Sequence, residues 1–189
     1  MSSSVRRVVV VGGACGVGKS ETLRTMRRTL QGSVADVATL ETDRFYMIID
    51  PDWAIAEDDA ARYYEVAGWL LQGTAQRLIR AGFDWVAIGS ADMYEESRLR
   101  DLVQPFLDDG VNVHHVTLDP GVEIVCDRIA RRAHPLDADK TPDWIASYLS
   151  WYRGHYADWT WLIDNSALTP EETALAIFEA VQAGRGRIT

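Results

Sequence analysis

The fold of this chain is decided by one stretch, which reads Val8-Val9-Val10-Val11-Gly12-Gly13-Ala14-Cys15-Gly16-Val17-Gly18-Lys19-Ser20. Residues 13–20 fit the pattern G-x-x-x-x-G-K-[ST], in which a buried strand passes through a glycine-rich loop into a helix. Both flanks agree, because four valines precede the loop and residues 21–30 carry apolar side chains at helical spacing. A tight turn that contains Gly-Lys-Ser by chance would need neither flank. The stretch therefore predicts a phosphate-binding loop, or P-loop.

The backbone of the loop and two of its side chains supply the predicted phosphate contacts. Glycines allow positive φ and leave space, so successive N–H groups turn inward, and the helix adds its positive N-terminal end. We expect Lys19 to reach the β- and γ-phosphates and the Ser20 hydroxyl to join a magnesium shell. The implied cofactors are ATP and Mg²⁺. The predicted nucleotide contacts here are Gly13, Ala14, Cys15, Gly16, Val17, Gly18, Lys19, Ser20 and Thr22.

Length and composition favour one domain over residues 1–189. A chain of 189 residues with 47% apolar content suffices for one core and is short for two. The net charge of −9 argues against a nucleic-acid or anionic membrane surface, since both need a cationic face. No apolar run approaches the roughly 20 residues of a membrane helix. Two cysteines, Cys15 and Cys126, favour reduced thiols and a cytoplasmic protein, and we expect a monomer or a homodimer.

Strand and helix patterns alternate along the chain. Strands are predicted at 8–11, 34–42, 85–89, 111–118 and 161–165, and helices at 21–30, 58–81, 97–107, 122–133, 142–156 and 171–183. Residues 44–53, with Pro51 and several acids, are predicted as a loop or a broken helix. The alternation predicts an α/β fold with a doubly wound parallel sheet of five strands and helices on both faces. Residues of about 44–82 would bind the acceptor, and about 128–156 would form a small helical lid.

Asp43 follows the second predicted strand and is the candidate base. Ligands gather at the C-terminal ends of parallel strands, so we expect Asp43 to face the same crevice as Lys19, from the strand next to that of the P-loop. There it would accept the proton of a substrate hydroxyl that attacks the γ-phosphate. Two other interpretations stay open, which are capping of the next segment and magnesium ligation through water.

The residues around Asp43 resemble a known family. Asp43-Arg44-Phe45-Tyr46 is similar to the D-x-F-Y that follows the second strand of uridine kinases. The general layout also resembles chloramphenicol phosphotransferases and other small P-loop kinases of the nucleoside monophosphate kinase-like superfamily. The resemblance implies that Asp43 lies beside the accepted hydroxyl and that Tyr46, with Phe45 and Trp53, lines the acceptor pocket. The other interpretation of these aromatics is core packing beneath a loop.

A second segment is similar to the entry into the lid of adenylate kinases, and it reads Asp127-Arg128-Ile129-Ala130-Arg131-Arg132-Ala133-His134. Arginines three and four residues apart share a helical face, and their planar forks suit phosphate oxygens. The resemblance implies that Arg128 lies along the adenine and that Arg131 or Arg132 reaches the transferring phosphate. One residue fewer separates Arg128 from the Arg-Arg pair here, so the choice between the two stays open. A solvated basic face paired with Asp127 and Glu123 is the alternative.

Three further residues are assigned by position. In such kinases the loop after the fifth strand touches the adenine, so Asn165 is a predicted nucleotide contact. Many P-loop enzymes hold magnesium through an Asp at the end of the third strand, but here two residues separate Gly89 from Asp92. We assign Asp92 to the acceptor side, from which it would help with magnesium less directly. Arg98 either points to the acceptor or pairs with Glu95.

The leading hypothesis is an ATP-dependent phosphotransferase that moves the γ-phosphate to a hydroxyl of a small molecule. The acceptor would be a nucleoside, a nucleoside-like natural product or an antibiotic, and the predicted catalytic residues are Lys19, Asp43, Arg128 and Arg132. A GTPase switch would need the base-reading N-K-x-D, which the sequence does not contain. A transport or remodelling ATPase would need acidic residues directly after the third strand. A protein that binds nucleotide without turnover stays open.

Overall fold

The computed structural model describes residues 5–31, 35–55, 57–134, 137–155 and 160–189, with the backbone alone at 57–59. The described strands form one sheet. They are β1 (Arg7–Gly12), β2 (Val37–Glu41), β3 (Trp85–Gly89), β4 (Asn112–Leu118), β5 (Trp161–Ile163) and β6 (Arg187–Ile188). Five strands are parallel in the order β2-β3-β1-β4-β5, and β6 pairs antiparallel with β4.

Helices cover both faces of this sheet. They are α1 (Lys19–Leu30), α2 (Thr42–Ile49), α3 (Glu57–Ala81), α4 (Glu96–Asp108), α5 (Val122–Arg132), α6 (Pro142–Arg153) and α7 (Pro170–Gln182). The valines of β1 alternate between two cores, because successive strand side chains point to opposite faces. Val9 and Val11 pack with residues of α1, α5, α6 and α7, whereas Val8 and Val10 pack with α3 and α4. The doubly wound α/β sheet that the sequence predicts is confirmed.

Two details of the sheet differ from the sequence-based expectation. β6 is a sixth strand, and its two residues are too few to show a periodic pattern. β3 lies between β2 and β1, so the expectation that Asp43 follows the strand next to the P-loop strand is wrong. Positions 34 and 156, at the ends of two predicted elements, and positions 135 and 136 of the predicted lid lie outside the described residues.

α2 replaces most of the segment predicted as a loop or broken helix. The Thr42 hydroxyl donates to the Gly89 carbonyl at 3.1 Å, which fixes the start of α2 against the end of β3. The negative charge of Asp43 in the first turn suits the positive helix N-terminus. The Asp50 carboxylate accepts the N–H groups of the next turn, so the helix stops before Pro51. The base predicted at a strand end thus stands on a helix that begins there.

The C-terminal residues close the sheet edge through a glycine contact. The His115 N–H donates to the Gly186 carbonyl at 2.7 Å, and β6 follows directly. Gly186 has φ +62°, and a Cβ built there would overlap the His115 carbonyl oxygen. Gly184 has φ +76°, and a Cβ there would meet nothing within 4 Å. The two glycines therefore share a left-handed backbone, but close approach occurs at Gly186.

We expect Gly186→Ala to destabilise the fold more than Gly184→Ala. Both changes place a Cβ on a left-handed residue, which costs about 1–2 kcal/mol. Gly186→Ala adds the overlap with the His115 carbonyl, for which we expect about 1–3 kcal/mol more because neighbouring backbone must move. Urea unfolding of both variants measures the difference. Equal losses of unfolding free energy in the two variants would show that the backbone around Gly186 shifts to accommodate the Cβ without an energetic penalty.

Candidate active site

The P-loop holds its shape through positive φ angles and through contacts from distant helices. φ is +134° at Gly13, +84° at Gly16 and +103° at Gly18, where L side chains are strained. The Gly13 N–H donates to the Tyr152 hydroxyl of α6 at 3.1 Å, in a buried position. A Cβ at Gly16 would lie 2.8 Å from the side chain of Ile129 in α5. The glycines therefore serve both the loop conformation and the close packing of α5 and α6.

Lys19 is curled back into the loop. Its Nζ donates to the carbonyls of Gly13 at 2.7 Å and Ala14 at 2.9 Å. Burial lowers the pKa of Lys19, while the negative charges of Asp43 and Asp92 act in the opposite direction. The ammonium is thus pre-positioned inside the loop, where backbone carbonyls replace the water that it loses.

A cleft of about 620 Å³ opens beside this loop. It brings together most of the residues predicted for the nucleotide and the reaction, namely Cys15, Gly16, Gly18, Lys19, Ser20, Thr22, Asp43, Arg128, Arg132 and Asn165. We call it the donor cleft. Residues from the start and the end of the chain meet there because the carboxyl ends of β1, β2 and β5 point to one edge of the sheet.

Glu41, which the sequence analysis missed, ends β2 beside the P-loop. The Ser20 hydroxyl donates to the Glu41 carboxylate. The sequence pointed to the end of β3 for an acidic partner, but the carboxylate comes from one strand further along. A hydroxyl and one carboxylate fit Mg²⁺, which in proteins takes few protein oxygens and completes its shell with phosphates and water. No three acidic, histidine or cysteine side chains among the described residues form a metal cluster by themselves.

Asp43 lies near charges of both signs, which shift its pKa in opposite directions. Burial raises the pKa of Asp43, Asp92 and Glu41 raise it further, and the Lys19 ammonium opposes them. Desolvation and like charge both disfavour the carboxylate, so the group gains affinity for a proton. Asp43 is exposed at the donor cleft, and a carboxylate whose pKa is raised there is a stronger general base than one with an ordinary pKa.

Arg128 and Asn165 hold the outer end of the P-loop. The Arg128 guanidinium donates to the carbonyls of Val17 at 2.7 Å and Asn165 at 2.9 Å. The Asn165 amide donates to the same Val17 carbonyl at 3.0 Å. Its Oδ1 is buried and has no hydrogen-bond partner among the described residues. Asn165 therefore supports the P-loop at the wall of the donor cleft and retains one buried acceptor.

The two candidate lid arginines point in different directions. Arg132 donates to the Asp137 carboxylate with Nε and Nη2, both at 2.7 Å, and its Nη2 lies 3.6 Å from the Cys15 sulfur. Arg131 has a side chain that is 82% exposed, and it pairs with Asp127 at 3.7 Å. The orientation of α5 about its own axis therefore directs Arg132, and not Arg131, toward the donor cleft. The placement of Arg131 does not support its predicted nucleotide contact and matches the solvated alternative.

Lys140 is a second lid cation that the sequence analysis missed. Its Nζ donates to Asp137 at 2.6 Å and lies 3.6 Å from the Cys15 sulfur. Burial alone would raise the pKa of Asp137, but the hydrogen bonds from Lys140 and Arg132 outweigh it and hold that pKa below its usual range. The Asp137 side chain is 4% exposed, so it fixes two cations above the P-loop from a protected position.

A second cleft, of about 690 Å³, lies between α2, α3 and α4, and we call it the acceptor cleft. The Tyr46 hydroxyl donates to Asp92 at 2.6 Å on its wall. Arg98 also lines it, although its Nε lies 3.2 Å from the Glu95 carboxylate. Of the predicted acceptor residues, Tyr46, Asp92 and Arg98 are therefore brought together.

Phe45 and Trp53 lie elsewhere. Phe45 packs against the core and lines a separate hollow, so its predicted place in the acceptor pocket is not supported. Trp53 is 39% exposed and lines a small cavity behind Tyr46, with ring centroids 6.0 Å apart. Phe45 therefore matches the alternative interpretation, in which these aromatic side chains pack in the core. Trp53 packs against the side of the Tyr46 ring that faces the small cavity.

The central β1, its loop and α1, with α5 and α6 packed against the same face of the sheet, define a P-loop domain. The family model that matches the chain is described as an AAA domain (AAA_33) and covers residues 8–154, so the chain belongs to that family. No curated protein sequence matches the chain significantly. In the part that the structure describes, no helix has both the length and the hydrophobicity to span a membrane.

Solved structures share the fold at low sequence identity. The tunicamycin resistance protein of Deinococcus radiodurans is similar with a TM-score of 0.66 and 21% identity, over 97% of this chain and 99% of that one. Shikimate kinase of Acinetobacter baumannii has a TM-score of 0.59 and 15% identity, over 96% of each chain. A gluconokinase of Sinorhizobium meliloti has a TM-score of 0.58 and 16% identity, over 95% of each.

We expect Asp137→Asn to lower the free energy of unfolding by about 2 kcal/mol at pH 7, because three charge-assisted hydrogen bonds, two from Arg132 and one from Lys140, lose their anion. A depressed pKa in the folded state means that this stabilisation is present above the unfolded pKa and declines as pH falls through the folded one. The difference between wild type and variant should therefore shrink in acid. Asp139→Asn, at an exposed neighbouring carboxylate, is the control. A difference that persists unchanged in acid would contradict the ionic role.

Proposed function

We propose that this protein is an ATP- and Mg²⁺-dependent phosphotransferase that phosphorylates a hydroxyl of a small molecule. One observation supports this most. The donor cleft is lined by Asp43 and Ala91, and the acceptor cleft is lined by their chain neighbours Thr42 and Asp92. Two clefts that are lined by neighbouring residues at the start of α2 and after β3, with a carboxylate of raised pKa among those residues, suit the transfer of a phosphoryl group between two bound molecules.

The donor side would neutralise and orient the triphosphate. The P-loop N–H groups and Lys19 bind the phosphates, while Arg128 and Asn165 keep the loop in place. Ser20 and Glu41 would hold Mg²⁺, which supplies positive charge to the phosphate oxygens when bound. Arg132 and Lys140 add two cations from the lid side. Phosphoryl transfer needs mainly this kind of positioning and charge stabilisation.

On the acceptor side, Asp43 would manage the proton. As the substrate oxygen bonds to the γ-phosphorus and the bond to the ADP oxygen breaks, the hydroxyl proton passes to the Asp43 carboxylate. This step needs ionised Asp43. Since burial raises the pKa of Asp43, turnover should decline as the pH falls through that raised value.

We expect the acceptor to be a small molecule that carries hydroxyl groups. Neighbours of the same fold carry tunicamycin, shikimate and gluconate in their names, which are all small and rich in hydroxyl groups. We infer a nucleoside, a nucleoside-like natural product or an antibiotic for this chain, handled in the cytoplasm by a monomer or a homodimer. A panel of such alcohols with radiolabelled ATP is the direct experiment. ATP consumption without any phosphorylated acceptor would contradict the proposal.

Lys19→Ala should reduce phosphoryl transfer by about 10²- to 10³-fold, since a preorganised positive charge at the phosphates is lost. Single-turnover rates with labelled ATP measure the loss. Arg27→Ala, at an exposed position about two turns further along α1 and outside the donor cleft, serves as the matched control and should keep most activity. Turnover that survives in Lys19→Ala would show that the loop does not serve catalysis.

Asp43→Asn should lower kcat by about 10²- to 10⁴-fold with little change in ATP affinity, because it removes the proton acceptor. Glu41→Gln should instead raise the Mg²⁺ concentration that half-maximal activity requires. A loss of ATP affinity with intact kcat in Asp43→Asn would identify Asp43 as a metal or structural residue.

A further inference from the structure

The acceptor cleft has an aromatic wall and an apolar floor. Tyr46 and Tyr64 meet edge to face with centroids 4.9 Å apart, and exposed Trp69 extends the wall. Leu71 and Leu102 are buried beneath them. Such a surface binds the face of a planar ring or the apolar body of a ligand, and aromatic faces also attract cations.

The charges that line this cleft are mostly negative. Among the side chains that the structure describes, its lining carries the three carboxylates of Glu65, Asp92 and Asp101, and one cation, Arg98. Arg98 is already engaged, because its Nε lies 3.2 Å from Glu95 and its guanidinium 5.5 Å from the centre of the Tyr94 ring. Asp43 lines the donor cleft, but it follows Thr42 of the acceptor cleft directly in the chain, so its carboxylate adds to the negative charge nearby.

A negatively charged acceptor would meet poor conditions in this cleft. Carboxylates and phosphates are usually bound by free guanidinium forks or by helix N-termini. The cleft offers one compensated guanidinium against several carboxylates, and the cations Lys19, Arg132 and Lys140 belong to the donor side. A neutral acceptor avoids the repulsion, and a cationic group would be attracted by both the carboxylates and the rings.

We propose that the acceptor cleft selects ring-bearing alcohols that carry no negative charge, and that it favours those with an amine. This inference rests on the proposed function, because the cleft has an acceptor substrate only if the protein transfers a phosphoryl group. It separates the substrate of this chain from hydroxy acids and from phosphorylated nucleosides. The charge selectivity itself is a property of the cleft and can be measured whether or not the protein turns over ATP.

A cysteine placed in the cleft can report the local potential. Gly68 of α3 lines the cleft, and a Cβ there would meet nothing within 4 Å, so Gly68→Cys fits without displacement. The full chain would carry it with Cys15→Ser and Cys126→Ser, and Ala61→Cys gives a second reporter on the same helix. Labelling rates are measured with two methanethiosulfonate reagents of similar size, one with a trimethylammonium group and one with a sulfonate.

At low ionic strength we expect the cationic reagent to be favoured by about tenfold over its preference for a free thiol in solution. High salt should remove most of that preference, because the Debye length falls to about 3 Å at 1 M. The double change Glu65→Gln with Asp101→Asn should reduce it clearly. Asp108→Asn, two turns further along α4 and outside the cleft, should leave it unchanged. Equal or inverted rates at both reporter positions would overturn the proposal.

A comparison of acceptors then links the charge to turnover. With saturating ATP, we expect kcat/KM for uridine to exceed that for uridine 5′-phosphate, shikimate and gluconate by at least about tenfold. Puromycin, which carries an amine, should surpass its N-acetyl form. An anionic compound as the best acceptor would overturn the proposal. If no alcohol were phosphorylated, the proposed function would fail, and the labelling ratio would still decide the charge selectivity.

Discussion

The donor cleft depends on how the Lys19 ammonium is held by the loop that precedes it. The carbonyls of Gly13 and Ala14 accept from Nζ, and Arg128 with Asn165 fixes the Val17 carbonyl on the far side of the same loop. The half-buried cation then interacts electrostatically with Asp43 and Asp92, which follow β2 and β3. The cation and the acids therefore share one edge of the sheet, which is where the proposed function requires phosphoryl transfer to occur.

The sequence predicts those parts of the structure that depend on local pattern. The P-loop, its strand and α1 follow from thirteen consecutive residues, and the buried strands appear as short apolar runs. Strand order is a property of tertiary packing, so nothing in the pattern showed that β3 lies between β2 and β1. Glu41 was missed for this reason, since its importance comes from the neighbour that packing gives it. A signal existed, because Glu41 and Asp43 lie two residues apart where a strand ends.

The segment from α5 to α6 likewise has some features that the sequence predicts and others that only the folded structure shows. Three arginines within five residues indicate a cationic helix, but the choice between Arg131 and Arg132 depends on the rotation of α5 against the loop. Lys140 lies on the far side of a turn, and Asp137 connects it to Arg132. Ionic contacts of this kind join residues that no periodicity relates. These ionic contacts can therefore be identified only from the folded structure.

The hydrogen bond from the Gly13 N–H to the Tyr152 hydroxyl has a consequence for how this domain can vary. A side chain of α6 completes the first turn of the P-loop, so α6 is part of the loop's own support as well as part of a cover over it. Exchange of the segment from α5 to α6 between relatives would remove that support unless a hydroxyl returned at the same place. The P-loop and α6 therefore support each other, and we expect chimeric proteins to fold best when the loop and the segment from α5 to α6 come from the same parent.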